Sequence, residues 1–166
     1  MEIKTLVVIL DRCICQLFIF TTNNMDINQN SFQFLFATTI KALFKQTAKN
    51  FEENGLMITP EQNFILKILS QEDSIQSDLA DIMKKDKSAV MRHIDQLENL
   101  GLVVRVNDSI DRRKKHIVIT EDGSEMLKKC EEIINQNTHK NLKDISDEDL
   151  AIFKSVLIKL KENAEK

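Results

Sequence analysis

Residues 112–115 read Arg-Arg-Lys-Lys, four consecutive cations that run directly into the strand-like stretch His-Ile-Val-Ile-Thr at 116–120. Cations packed this closely suit contact with a polyanion. The competing reading is a solvated loop, which is what most charge runs are. Overall the chain is acidic, with 23 Lys and Arg against 26 Asp and Glu and a formal net charge of -3. The charge is segregated, however. Residues 84–116 hold nine cations and five acids, whereas the remainder holds 14 cations and 21 acids. Polyanion binding responds to this local field rather than to the total.

Other chemistries find little support. The three cysteines, Cys13, Cys15 and Cys130, form neither a disulfide framework nor a C-x-x-C pair. His93, His116 and His139 are scattered without metal-ligand spacing. No nucleophile–base pair or paired carboxylate cluster is visible, so the sequence predicts a protein that is not an enzyme and uses neither metal nor cofactor. The apolar start "TLVVILDRCICQLFIF" is interrupted by Asp11 and Arg12. It falls short of the ~20 uninterrupted apolar residues of a membrane span and lacks the layout of a secretory signal, so a cytoplasmic location without membrane association is expected. Met25 follows a polar stretch and is a second candidate start, which makes residues 1–24 an upstream extension in this reading.

The elements that must position the cations are mostly helices. One Pro and three Gly among 166 residues leave little punctuation. Phe32, Phe36, Ile40, Leu43, Phe44 and Phe51 recur at helical spacing behind a Ser31 cap, and their bulk hints at a partner surface. The Thr-Pro-Glu-Gln at 59–62 reads as a capping box with proline at the first helical position. Two short helical patterns follow, at about 76–84 and from 88 to Gly101, joined by about four residues in the manner of a helix-turn-helix. The second buries Val90, Ile94 and Leu97. That leaves Ser88, Ala89, Arg92, His93 and Gln96, with Lys87 just ahead, for contact with base edges or phosphates. For His93 a partly buried helix position competes with a phosphate contact. The β-branched runs at 102–106 and 116–120, separated by turn-forming Asn-Asp-Ser-Ile-Asp, predict a hairpin that carries the cations on its returning arm. A capped helix from Thr120 to about 142 and a last helix after Ser146 complete the chain.

Residues 77–123 resemble the winged helix-turn-helix core of the MarR-type bacterial transcription regulators. The resemblance rests on Leu79-Ala80, Asp-Lys-Ser at 86–88, Leu-Glu-Asn-Leu-Gly-Leu-Val at 97–103, Asp-Arg-Arg at 111–113 and the closing T-x-x-G at 120–123. It implies a mainly α fold with a small β-hairpin wing, in which residues 58–120 form the DNA-binding lobe and residues 25–57 and 121–166 the dimerisation region. It implies a homodimer on a pseudo-palindromic operator in double-stranded DNA, most simply acting as a repressor. Phe32, Phe36, Phe44, Leu150, Phe153, Leu157 and Leu160 would meet the second chain. Arg113 would enter the minor groove, flanked by Arg112 and Lys114, with Asp111 orienting it through an ion pair that Arg105 shares. Ala89 departs from the hydroxyl residue common in the family.

Such regulators often bind a small aromatic effector. Phe36, Phe44 and Met57 are candidates for its pocket, with plain core packing as the simpler reading. Two further functions compete with DNA binding alone. One is a winged-helix protein-interaction module for an acidic partner, and the other a redox-sensing regulator that uses Cys13 and Cys15.

Overall fold

The computed structural model describes residues 31–71, 74–83, 85–108 and 115–166. Helix α1 (Phe32–Glu53) is capped by Ser31, whose hydroxyl accepts from the Phe34 N–H. It stops where Gly55 adopts a left-handed φ of 72°. There the Gly55 N–H reaches the Glu52 carbonyl and the Leu56 N–H the Phe51 carbonyl, which satisfies two groups the helix end would orphan. Only Ile40 and Phe51 of α1 are buried.

Helix α2 (Pro60–Leu69) starts at the predicted capping box: the Thr59 hydroxyl accepts from the Gln62 N–H, and Gln62 Oε1 accepts from the Thr59 N–H at 2.8 Å. Phe64, Ile65, Leu66, Ile68 and Leu69 are all buried, so α2 runs through the centre of the core. Strand β1 (Ser74–Ile75) leads into α3 (Gln76–Met83), which buries Leu79, Ala80 and Met83. Helix α4 (Lys87–Asn99) follows and buries Val90, Ile94 and Leu97, the stripe expected from its 3.6-residue period.

Strands β2 (Val103–Asn107) and β3 (Lys115–Ile119) form the predicted antiparallel hairpin, with Val103 opposite Ile119 and Asn107 opposite Lys115. The sequence did not announce the third strand. β1 pairs with the other edge of β3, giving the order β1-β3-β2. Two residues are too short to show an alternating pattern, and β1 exists because β3 offers it a free edge.

Helix α5 (Glu121–Asn141) and helix α6 (Asp147–Ala164) complete the chain. Two compact units divide it, residues 1–133 and 134–166, with the boundary inside α5. In the second unit, Ser146 caps α6 by accepting from the Asp149 N–H, and α6 has no buried residue. Cys130, in the first unit, is fully buried, and burial pushes its thiol up to about 12, with Glu131 adding to the effect. It is a core residue rather than a reactive one.

The T-x-x-G motif acquires a physical meaning at the start of α5. The Thr120 N–H donates to the Leu102 carbonyl, its hydroxyl donates to the Gly101 carbonyl at 2.8 Å, and the same hydroxyl accepts from the Gly123 N–H at 3.0 Å. A Cβ on Gly123 would lie 2.1 Å from the Leu102 carbonyl oxygen and 2.8 Å from Ile119 Cγ1. Helix propensity alone would make Gly123→Ala stabilising by about 1 kcal/mol. Here the clash is with backbone, so the substitution is expected to destabilise by about 1–3 kcal/mol. Thermal unfolding followed by circular dichroism checks the sign: a raised midpoint would mean that α5 can move away from Leu102 without cost.

Candidate nucleic-acid interface

The outer surface of α4 is built from its two ends. At its start the Asp86 carboxylate accepts from the N–H groups of Ser88, at 2.8 Å, and Ala89. The bond from Ser88 chiefly, then that from Ala89, holds the Asp86 carboxyl below its ordinary range. At its end Gly101 takes a φ of 74°, and the Leu102 N–H closes onto the Leu97 carbonyl. Both ends are therefore fixed, and the buried Val90–Ile94–Leu97 stripe sets the rotation of the helix.

Successive residues turn by about 100° around a helix. The side opposite the buried stripe therefore carries Ser88, Arg92 and Asn99, with Asp95 and Gln96 beside them, and all five are exposed. Lys87 is exposed at the first turn and Ala89 half-buried. Arg92 hydrogen-bonds to none of the described residues. Of the residues singled out from the sequence, Ser88, Arg92 and Gln96 thus share one face.

His93 lies on the flank. Its ring is half-buried, and Nδ1 is buried without a hydrogen-bond partner among the described residues. Burial lowers its pKa, the Glu61 carboxylate opposes that shift, and Lys85 and Arg92 reinforce it. Its placement fits the packed reading rather than a phosphate contact. Gln96 is also engaged from the core side, because its Oε1 accepts from Gln62 Nε2 at 2.7 Å.

Arg105, on β2, donates to Asp95 and to Glu98, both on α4. It ties the hairpin to the helix and offsets two acids that would otherwise repel phosphate. Sequence reasoning missed both partners, since contacts seven and ten residues apart across a turn have no periodic signature. The partner expected for Arg105, Asp111, lies outside the described residues, as do Arg112, Arg113 and Lys114, and also Cys13, Cys15 and residues 1–24. The hairpin reveals one more pair that reasoning missed: His116 Nε2 lies 2.8 Å from Asp108 Oδ2, where β2 ends opposite β3.

The residues expected at an interface with a second chain divide by exposure. Phe32 and Phe153 are each 52% exposed and Leu160 is exposed as well, while Phe36, Phe44, Leu150 and Leu157 are half-buried. Phe32 and Phe36 stack on each other with centroids 5.5 Å apart. Of the three candidate pocket residues, Met57 lines an open depression of about 340 Å³ with Leu56, Ile58 and Glu61. Phe36 and Phe44 do not line it. Among the described residues no group of three His, Cys, Asp or Glu could hold a metal ion, and no helix is long and apolar enough to cross a membrane.

Known proteins share this fold. Residues 58–115 match the model of the MarR family. The fold is similar to that of a MarR-family transcriptional regulator from Rhodococcus sp. RHA1, with 21% identity, a TM-score of 0.70 and coverage of 82% of this chain and 96% of that one. A MarR family protein from Bacillus stearothermophilus is 26% identical, with a TM-score of 0.67 over 80% of this chain and 91% of its own. The S. aureus MepR–DNA complex matches with 22% identity and a TM-score of 0.70, covering 80% of this chain and 98% of that one. Residues 58–115 thus match the MarR family, within a chain whose fold is similar to that of solved MarR-family proteins.

Proposed function

We propose that the protein is a homodimeric, sequence-specific regulator that places α4 in the major groove of each half-site of a roughly palindromic DNA operator. The observation that carries this reading is the outer face of α4. It presents Ser88, Gln96 and an Arg92 that pairs with none of the described residues, while Asp95 and Glu98 are partly offset by Arg105. A capped helix with an exposed arginine and acids partly offset by a neighbouring cation is a workable major-groove reader. The similar MepR structure was solved as a DNA complex, which supports the same use of the fold. Lys87 and the cations at 112–115 add phosphate contacts, with Arg113 assigned to the minor groove because its planar head sheds water more readily than an ammonium.

What the chain leaves uncovered supports the dimeric part of this reading. Phe153, Ile152, Val156 and Leu160 are exposed along α6, and Phe32, Leu35 and Leu43 along α1. Apolar helix faces of this extent mark an association surface. Two copies related by a two-fold axis would bury them and match a palindromic site. A dimer lying across a promoter blocks it, which makes repression the simplest outcome. The buried, weakly acidic Cys130 is no redox centre, and the two cysteines of the redox alternative, Cys13 and Cys15, lie outside the described residues.

Two experiments test the reading. Selected duplexes should bind with an affinity that falls steeply with salt, because neutralised phosphates release counterions. Arg92→Ala should weaken specific binding by about 1–3 kcal/mol. Arg105→Met should also weaken it, by exposing Asp95 and Glu98 to phosphate, and adding Asp95→Asn and Glu98→Gln should restore affinity. Unchanged fluorescence anisotropy titrations for Arg92→Ala and Arg105→Met would count against the interface. In sedimentation velocity, the chain of 19.2 kDa should run as a dimer and Phe153→Glu as a monomer with lost operator affinity. A monomeric wild type that still binds its operator would remove the two-fold element.

A further inference from the structure

Gln62 is 3% exposed, and both ends of its amide are committed. Its Oε1 faces the Thr59 N–H at 2.8 Å. A backbone N–H can only donate, so the atom facing it must be the amide oxygen. The other end of the amide is then the NH2 group, which can only donate. It lies 2.7 Å from Gln96, so the Gln96 atom that meets it must be the oxygen. The polarity of Gln96 is therefore set by a capping box on another helix. Its oxygen points back to α2, and its NH2 is left for solvent on the exposed side of α4, one turn from Arg92.

A free glutamine reads adenine by offering oxygen and nitrogen together to N6 and N7. With its oxygen held toward α2 by Gln62, Gln96 is left to offer its NH2 donors on the outer side. Donors match the acceptor edges of guanine (O6 and N7) and thymine (O4), meet only N7 of adenine beside its N6 amino donor, and fail against the cytosine N4 amino group. We propose that Gln62 is a positioning residue for base recognition: it locks the Gln96 amide as a donor and biases one step of each half-site toward guanine or thymine. This inference rests on the DNA-binding reading above and sharpens one contact within it.

Replacing Gln62 tests the lock without touching the DNA-facing residue. Gln62→Glu keeps the capping box, since a carboxylate accepts from the Thr59 N–H equally well. It also reverses the next link, because the carboxylate now accepts from Gln96 and turns the Gln96 oxygen outward. Gln62→Met fills the same buried volume and removes the lock altogether. Selection from a random duplex library, followed by titration of duplexes substituted at each step, reads the result. The titrations are run at about pH 8, so that the buried carboxyl is ionised.

The wild type should show a step with roughly tenfold preference for guanine or thymine over cytosine. Gln96→Ala should abolish the preference at that step alone. Gln62→Glu should move it to cytosine or adenine, and Gln62→Met should broaden it to admit adenine. If Gln62→Glu does not fold by circular dichroism, the Met variant decides. Gln62 variants that weaken every duplex equally, with base preference unchanged, would show a merely structural role and overturn the assignment. So would Gln96→Ala leaving all steps unchanged. A wild-type chain that selects no sequence overturns both this assignment and the reading beneath it. An unchanged preference in the Gln62 variants overturns this assignment alone.

Discussion

The approach of α5 to the Leu102 carbonyl is the constraint on which the rest of the first unit hangs. Three elements meet there. The Leu102 N–H closes the end of α4 by reaching the Leu97 carbonyl, and the Leu102 carbonyl accepts from Thr120 at the end of the hairpin. Thr120 binds the Gly101 carbonyl and caps the first turn of α5. The whole arrangement requires Gly101 to be left-handed and Gly123 to lack a Cβ. Where α4 stops, where the wing begins and how α5 departs are thus a single decision. It is made by two glycines and a threonine whose spacing is fixed by hydrogen-bond lengths.

Upon that junction rests an electrostatic arrangement that the total charge conceals. The chain is acidic, yet the exposed face of α4 shows Arg92 and Lys87, and its own acids are turned toward Arg105. Arg105 is one residue with two tasks: it braces the hairpin against the helix and lessens the local negative charge of Asp95 and Glu98. Its value lies in the second task, because partly exposed ion pairs contribute little to stability. His116 and Asp108 form a similar brace farther along the hairpin.

The polar interior is sparse and used with purpose. Gln62 spends its oxygen on a helix cap and its nitrogen on Gln96, so a stability device on α2 also orients a side chain on α4. By contrast, His93 Nδ1 and Asn63 Oδ1 are buried with no partner among the described residues. For His93 this disfavours the charged ring, which is consistent with its place on the packed flank rather than on the outer face.

Much of this was legible in the linear order of residues, because it depends on local rules. Helix starts at Ser31, Thr59 and Ser146 follow from side chains that cap, and the stripe at Val90, Ile94 and Leu97 from a period of 3.6. The hairpin follows from β-branched runs around a turn, and the T-x-x-G from four adjacent residues. What only the tertiary structure decided was partnership across distance. Strand β1, the Arg105 clamp, the Gln62–Gln96 bond and the exposure of Phe153 each depend on which surfaces the fold brings together or leaves bare. No local propensity encodes such pairs, since each needs two elements to be oriented before either side chain has a partner. By itself the sequence nominated the residues proposed to read DNA. The packing of α4 against α2 and β2 decided which face the candidates on α4 occupy, and the bond from Gln62 decided the polarity of Gln96.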